Sequence, residues 1–384
     1  MKILHISMWR YSDGWTYQDN LLTKYHKRLG HDVVLLTSEY CFKEGTEVKD
    51  EKTDFVDVNG IRVHRLQRKK SPFSGKLPVF RGMREAIERE APDVIFSHGC
   101  QYRDLRTVVR YVKKHPSVRL IVDSHADFSN SATNFLSKHV LHRIIWRHYA
   151  RMAVPHAEVF WGVLPARVEF LQKMYGIPAG KTALLVMGAD NDQVGVAAEK
   201  RIPLRAQWGV GEKDFVVMTG GKIDSAKRQT LTLMRAVGEM DDPRVKLFVF
   251  GSVEPALQKE LNALCNDRVR YLGWIKPDDT YGYFAAADLV VFPGRHSVFW
   301  EQVAGMGIPL IVKHWQGTTH VDCGGNARFL ANDSLDEMHR VLREAMQGYD
   351  AMQQAAKQAA EQFSYEYIAV RSLSHGKHND AAEV

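Results

Sequence analysis

The chain has 384 residues, 45% of them hydrophobic and 25% charged. That balance excludes a disordered or fibrous protein and, at this length, asks for two cores rather than one. The formal charge of +7 favours an anionic partner, whether a phosphate ligand, a nucleic acid or an acidic membrane surface.

The first predicted element is the strand KILHIS, from Lys2. The segment MKILHISMW lacks the apolar stretch of a secretory signal, and no run reaches the roughly eighteen apolar residues of a membrane span. A cytoplasmic protein is therefore expected. Cys41, Cys100, Cys265 and Cys323 lie far apart without metal-type spacing, so they read as reduced, buried thiols. A loop containing Gly14 leads to a helix expected to open on Thr16 and Asp19 in capping-box spacing and to close at Gly30. The strands DVVLLTS, DVIFSHG and VRLIVDSHADF follow, the last two ending in polar loops that carry His98 and His125. Ligands of doubly wound sheets gather at such carboxyl ends.

Residues Met187 to Gly209 are rich in small and polar types and read as a linker. A second half restarts at DFVVMTGGKIDSAKRQ and continues through VKLFVFGS, VRYLGW, DLVVFPG and IPLIVK. Strands alternating with helical patterns predict an α/β fold with parallel sheets. The expected domains are 1–190 and 191–363, with a last helical piece, 364–384, packing back on the first; its end, GKHNDAAEV, should fray.

In the second half, Gly220 and Gly221 let backbone N–H groups approach a ligand, and Lys222 and Lys227 add charge beside them, an arrangement suited to a diphosphate. Ser297 is an expected N-cap, with helix from Val298 and a stop at Gly307-Ile308-Pro309. That would aim a helix N-terminus out of the sheet edge, with His296 and Ser297 at its end. Glu301 and Gln302 follow, placed to hydrogen-bond vicinal hydroxyls such as those of a ribose. The plainer alternatives are a solvated lysine after a turn, a Glu301 paired with an arginine, and a His296 that merely caps.

Two stretches of the first half are basic. RLQRKKSPFSGKLPVFRGMR carries Arg65, Arg68, Lys69, Lys70, Lys76, Arg81 and Arg84 around Phe73, Leu77 and Phe80. LSKHVLHRIIWRHYAR reads as a helix with Lys138, Arg143, Arg147 and Arg151 offset from Val140, Leu141, Ile144, Ile145 and Tyr149. Such mixtures suit an anionic lipid surface, against the alternative of a solvated face over ordinary core. With no nucleic-acid-binding module in evidence, nucleic acid is not expected as a partner.

The ordered series GGKIDSAKRQ, LFVFGS, VRYLGW, YFAAADLVVFPG and WEQVAGMGIPLIV resembles the carboxyl-terminal domain of glycosyltransferase family 4. The first half is similar too, in GHDVVLLTS, SHG, VDSHAD and VLPARVEFLQKMYGIPAGKTALLVMGAD. The resemblance implies a GT-B fold: two Rossmann-like domains with parallel sheets facing across a cleft, the first binding acceptor and the second nucleotide-sugar donor. It implies that Lys222 and Lys227 bind the donor diphosphate and that His125 lies near the transferred sugar and acceptor. It further implies that Gly14 brings backbone against the diphosphate and that Gly273 and Trp274 cradle the base. Gly221, His296, Ser297, Val298, Glu301 and Gln302 complete the expected donor site.

Two departures stand out. The family's glutamate seven positions before the proline of GxP falls on Gln302, beside Glu301, and its earlier glutamate falls on Gly294. The resemblance implies a retaining transferase moving a sugar from a UDP- or GDP-sugar to a glycan or lipid-linked glycan, in cell-surface polysaccharide or glycoconjugate synthesis. No DxD-like pair stands in a suitable loop, so neither metal nor cofactor is expected; Lys222, Lys227 and the helix dipole would meet the leaving charge. The competing readings are a nucleotide-sugar epimerase of the same architecture and a non-catalytic basic protein binding membrane or nucleic acid.

Overall fold

A computed structural model describes residues 1–43, 46–69 and 77–374. The chain divides into two compact units, one of residues 1–186 and the chain from Ile368, the other of Met187–Tyr367.

In the first unit the strands are β1 (Lys2–Ser7), β2 (Asp32–Ser38), β3 (Tyr40–Lys43), β4 (Thr46–Lys49), β5 (Asp54–Val56), β6 (Arg62–Leu66), β7 (Val94–Ser97), β8 (Arg119–Ser124), β9 (Ala157–Gly162) and β10 (Thr182–Leu184). An eight-stranded sheet runs β10-β9-β8-β7-β1-β2-β6-β5. All its pairs are parallel except β5 with β6; β3 and β4 form a separate antiparallel pair. The central strands are apolar on both faces because helices cover both. One such helix, Leu105–Lys114, buries Leu105, Val108, Val109 and Val112 at helical spacing against Leu4, Ile95 and Val122. Burying one such side chain contributes about 1.5–3 kcal/mol.

The second unit adds β11 (Phe215–Gly220), β12 (Val245–Phe250), β13 (Val269–Tyr271), β14 (Leu289–Phe292), β15 (Leu310–Lys313) and β16 (Ala327–Leu330). They form an all-parallel sheet, β13-β12-β11-β14-β15-β16. The order reverses beside β11, so the loops after β11 and β14 emerge at the switch point where such sheets bind ligands.

Several local expectations fail, each for a physical reason. The helix Gln18–Arg28 has Tyr17 at its N-cap without a side-chain bond. Asp19 is instead drawn to the strand end, where its carboxylate accepts the Ser7 hydroxyl at 2.8 Å. The expected linker contains the helix Asn191–Gln207, its start capped by the Asp190 side chain accepting from Asp192 N–H and with Pro203 inside. Strands β9, β10 and β16 escaped the pattern because they are short or carry polar residues. Cys41 and Cys100 are buried, but Cys265 and Cys323 are only half-buried. The expected fraying of GKHNDAAEV concerns residues outside the described ones, and the expected helix is described only as Tyr365–Ser372.

Candidate functional site

Strand β11 delivers Gly220 and Gly221 to the sheet edge. Gly221 has φ +125°, a left-handed backbone that side chains resist. Next to it, Gly251 after β12 has φ +127°, and a Cβ there would lie 1.8 Å from the Gly221 carbonyl oxygen. The loop is thus packed backbone against backbone, and the Gly221 N–H bonds the Phe250 carbonyl at 3.1 Å.

Beyond it, Asp224 caps a single turn, Ser225–Lys227, accepting from Ala226 N–H at 3.1 Å. The helix Gln229–Glu239 begins at once. A pocket is lined by Gly220, Gly221, Lys222, Lys227, Thr230, Gly294, Arg295 and Ser297. Lys222 is exposed and pairs with Asp224 at 3.3 Å. The Lys227 ammonium has no hydrogen bond or ion pair among the described residues. Its pKa is lowered, first by burial and then by the charges of Lys222 and Arg295, against the opposing Asp224. Three cations with one carboxylate between them leave an excess of positive charge, which an anion would relieve.

Gly294, where the family pattern has glutamate, lies against Lys227: a Cβ there would be 3.4 Å from Lys227 Cγ. The missing carboxylate therefore leaves Lys227 unneutralised. Arg295, which the sequence reading passed over, lines the same pocket; its signal was its place between the two anticipated residues Gly294 and His296.

Ser297 and Val298 do not act as expected. The helix starts at Phe299, Val298 is its N-cap without a side-chain bond, and Ser297 offers only its carbonyl, accepting from Trp300 N–H at 3.0 Å. The Ser297 side chain still borders the pocket. Glu301 and Gln302 are 0% and 4% exposed, so neither presents its side chain to solvent. Glu301 instead holds two imidazoles on one oxygen: His296 Nε2 at 2.7 Å and His320 Nε2 at 2.8 Å from Oε1. His320 sits on the turn Thr319–Val321 and gave no sequence signal, being distant from Glu301 in the chain. Glu301 Oε2 and His320 Nδ1 are buried without partners.

These three side chains offer ligand atoms within 4.8 Å of one another. A tetrahedral cation among them would hold donor atoms about 3.3 Å apart, whereas 2.7 and 2.8 Å are separations of direct N–H···O bonds. The cluster therefore reads as a hydrogen-bonded triad. Burial opposes ionisation of Glu301, but the two imidazoles outweigh it and pull its pKa down to about 2. A depressed carboxylate stabilises the fold above its unfolded pKa near 4.3 and loses that contribution as pH falls towards 2. Glu301→Gln is expected to cost about 2–3 kcal/mol at pH 7 and progressively less on acidification, read as Tm of both proteins from pH 7 to 3. A deficit that stays constant across that range would contradict the assignment.

Gly273 and Trp274 follow β13; the Gly273 carbonyl accepts from Gly251 N–H at 2.8 Å, and Trp274 is 65% exposed. Its ring is free to stack on a planar base. Gly14 and His125 belong to the first unit. Gly14 sits exposed after β1 with φ +75°. His125, after β8, is 44% exposed, with Nε2 3.6 Å from Asp123 Oδ2.

The basic stretches separate into different roles. Arg65 is buried, bridging Asp50 at 2.8 Å and the Tyr11 and Ser38 carbonyls. Phe80 is core, and Lys70, Phe73 and Lys76 lie outside the described residues. The other stretch forms a π-helix, Ser137–Trp146, followed by the α-helix Arg147–Ala153. Wider π turns put residues four apart on one side. Leu136, Val140 and Ile144 face solvent at 68%, 41% and 63% exposure, while Leu141, Ile145 and Tyr149 pack on the core. Lys138, Arg143 and Arg151 are exposed around them.

The chain matches the Glycosyl transferase 4-like domain over residues 15–188 and Glycosyl transferases group 1 over residues 214–347, most of its length together. It is similar to a glycosyltransferase from Rickettsia africae (14% identity, TM-score 0.67, covering 97% of each chain). It is similar also to Anabaena HepE, solved in complex with UDP (18% identity, TM-score 0.66, covering 97% of this chain and 98% of that one). A putative UDP-N-acetylglucosamine 2-epimerase from Listeria monocytogenes shares the fold as well (13% identity, TM-score 0.62, covering 99% and 97%). No curated protein matches the chain by sequence. These likenesses establish the architecture, GT-B with two Rossmann-like domains.

Proposed function

The chain belongs to the group 1 glycosyltransferases and is an enzyme of that class, and from this we propose that it transfers a sugar from a UDP- or GDP-sugar, with retention, to a glycan or lipid-linked glycan acceptor. The observation that carries the proposal is the pocket of unneutralised charge at Gly221, Lys222, Lys227 and Arg295. A nucleoside diphosphate leaves as a dianion or trianion, and cations fixed where that charge develops lower the barrier most. Lys227 and Arg295 meet the bridging and terminal phosphate oxygens and Lys222 closes over them; the N–H groups of Gly221, Ile223, Ser225, Ala226 and Lys227 are bonded within the protein, so the side-chain cations carry the contact. No metal is needed for charge that these side chains already balance. The departing oxygen then takes the acceptor proton on the same face, and His125 is the polar contact to sugar and acceptor. Trp274 stacks on the base, and His296, held by Glu301, stands in for the carboxylate lost at Gly294.

Incubation with sugar-labelled UDP- and GDP-sugars, with and without lipid-linked glycan, tests this reading. Acceptor-dependent release of the nucleoside diphosphate with label in the acceptor supports transfer. The epimerase seen among the structural neighbours gives the second reading: isomerisation of the free donor without acceptor would establish it and overturn transfer.

The acceptor is proposed to be presented at the cytoplasmic face of an anionic membrane, in cell-surface polysaccharide or glycoconjugate synthesis. No described helix is long and apolar enough to cross a membrane, but the π-helix and its flanking residues expose Leu136, Val140 and Ile144 together with Lys138, Arg143 and Arg151. Apolar side chains entering headgroups while cations meet anionic lipid is how such helices bind. Ile144→Ser with Arg143→Glu should lower partitioning to phosphatidylglycerol vesicles at least about thirtyfold, since the reversal changes the charge by two at roughly 1 kcal/mol each. Equal vesicle binding by variant and wild type, measured by cosedimentation, would remove the membrane from the proposal.

A further inference from the structure

The interior of the first unit contains a chain of hydrogen-bonded rings that the proposed reaction does not use. His98 Nδ1 lies 2.8 Å from Asp123 Oδ2, His98 Nε2 lies 2.9 Å from His5 Nδ1, and His5 Nε2 lies 2.9 Å from His26 Nδ1. His26 Nε2 ends the row, 3.2 Å from the Ala369 carbonyl and 2.9 Å from Ser372 Oγ. All four side chains are 5% exposed or less. Water therefore supplies no missing donor or acceptor, and the proton count must close within the row.

It closes in one direction. The Ala369 carbonyl only accepts, and it already takes the Ser372 hydroxyl at 2.8 Å. A bare His26 Nε2 would set its lone pair against that carbonyl at 3.2 Å, so Nε2 donates and Ser372 Oγ accepts from it. A neutral His26 then has a bare Nδ1, which accepts from His5 Nε2–H. A neutral His5 has a bare Nδ1, which accepts from His98 Nε2–H. That leaves His98 Nδ1 facing a carboxylate whose other oxygen accepts from Gly99 N–H at 2.9 Å, with His125 beside it. A carboxylate ringed by N–H donors keeps its charge, so His98 Nδ1 carries a proton too.

We propose that His98 is a permanent buried imidazolium locked against ionised Asp123, its protonation imposed through His5 and His26 by the Ala369 carbonyl, and that this pair positions His125. The positioning part rests on the reading above, in which His125 contacts the substrates. Asp123 Oδ2 sits 3.6 Å from His125 Nε2, beyond hydrogen-bond length but close enough for its charge to orient the ring with Nε2 towards the carboxylate. That leaves His125 Nδ1, across the ring, for a sugar or acceptor hydroxyl. His98 holds Asp123 from behind at 2.8 Å, so the carboxylate that faces His125 is fixed in place.

The titratable groups facing the row are Asp19 from the helix Gln18–Arg28, His31 beyond His26, Cys100 and Tyr102 after β7, and His125. Burial pushes the Cys100 thiol up to about 12 and raises Tyr102, so both stay neutral. Burial lowers the pKa of His5 and takes that of His26 down to about 3. His98 moves the other way: Asp123 raises its pKa against the cost of burial.

The test is 15N NMR of the histidine-labelled full chain between pH 6 and 9. The expected result is one imidazolium that does not titrate, assigned to His98 by its loss in His98→Gln, beside two neutral rings protonated at Nε2. A neutral His98, or His26 protonated at Nδ1, would overturn the proposal whatever the activity. The positioning role is read separately, on Asp123→Asn and on His5→Leu against His5→Gln, which keeps one donor and one acceptor. Asp123→Asn should lower kcat at least tenfold with donor KM unchanged and move the acid limb of the pH profile; His5→Leu should do the same and His5→Gln should restore it. A charged His98 with unaltered kcat in Asp123→Asn would refute the positioning role and leave the donor pocket untouched.

Discussion

Lys227→Ala is expected to lower kcat/KM for the nucleotide-sugar donor about 100- to 1000-fold, the loss that follows removal of one fixed donor to developing oxyanion charge. The fold should survive, because the ammonium has no protein partner among the described residues and its pKa is already lowered by burial beside Lys222 and Arg295. Removing a cation from a cluster of three relieves repulsion, so Tm in the absence of ligand should hold or rise slightly. The same variant should lose the stabilisation that a bound nucleoside diphosphate confers. Lys227→Arg keeps the charge but replaces a point donor by a planar fork, so part of the activity should return. Wild-type kcat/KM in Lys227→Ala would place the diphosphate elsewhere.

Gly251→Ala should be equally damaging through geometry alone. Gly251 touches no pocket cation, yet its added methyl would meet the Gly221 carbonyl oxygen at 1.8 Å, and its φ of +127° is itself unfavourable for alanine. Either Gly221 moves, displacing the loop that carries Lys222 into the pocket, or the strand end after β12 does. Backbone strain of this kind costs about 1–3 kcal/mol, a fall of roughly 2–4 °C in Tm per kcal/mol in a unit of this size. Donor affinity should fall by at least tenfold beyond what the Tm change explains. Calorimetric titration with the diphosphate beside a melting curve separates the two; a destabilised variant with unchanged affinity would show that the loop tolerates displacement.

The pocket of the second unit was legible where local chemistry decides position. Gly-Gly after an apolar strand, followed by Lys222 and Lys227, fixes a loop whatever the rest of the fold does, and Gly221, Lys222, Lys227 and Ser297 do line one pocket. The opening of the helix at Phe299 was not legible, since Ser297 offers a carbonyl where a hydroxyl cap was expected. Glu301 misled for a deeper reason. Its helical position suited a ribose contact, but its burial depends on His320, which only the tertiary fold brings to 2.8 Å. The same holds for His98: the loop histidine was visible, its partners His5, His26 and Asp123 were not, because they come from three other elements. In the basic stretches, charge was countable, but burial of Arg65 against Asp50 and exposure of Ile144 on a π turn follow from packing and helix pitch.

The central claim, that the Gly221, Lys222, Lys227 and Arg295 pocket holds the diphosphate of a sugar donor, is tested most directly by thermal stabilisation of the wild-type protein with UDP, GDP, ADP, TDP and CMP, each with and without EDTA. A ligand at 100 times its Kd adds about 2.7 kcal/mol, a clear shift in Tm. The expected result is stabilisation by one nucleoside diphosphate, unchanged by EDTA, absent with CMP and abolished in Lys227→Ala. No shift with any diphosphate, or an equal shift in Lys227→Ala, would contradict it.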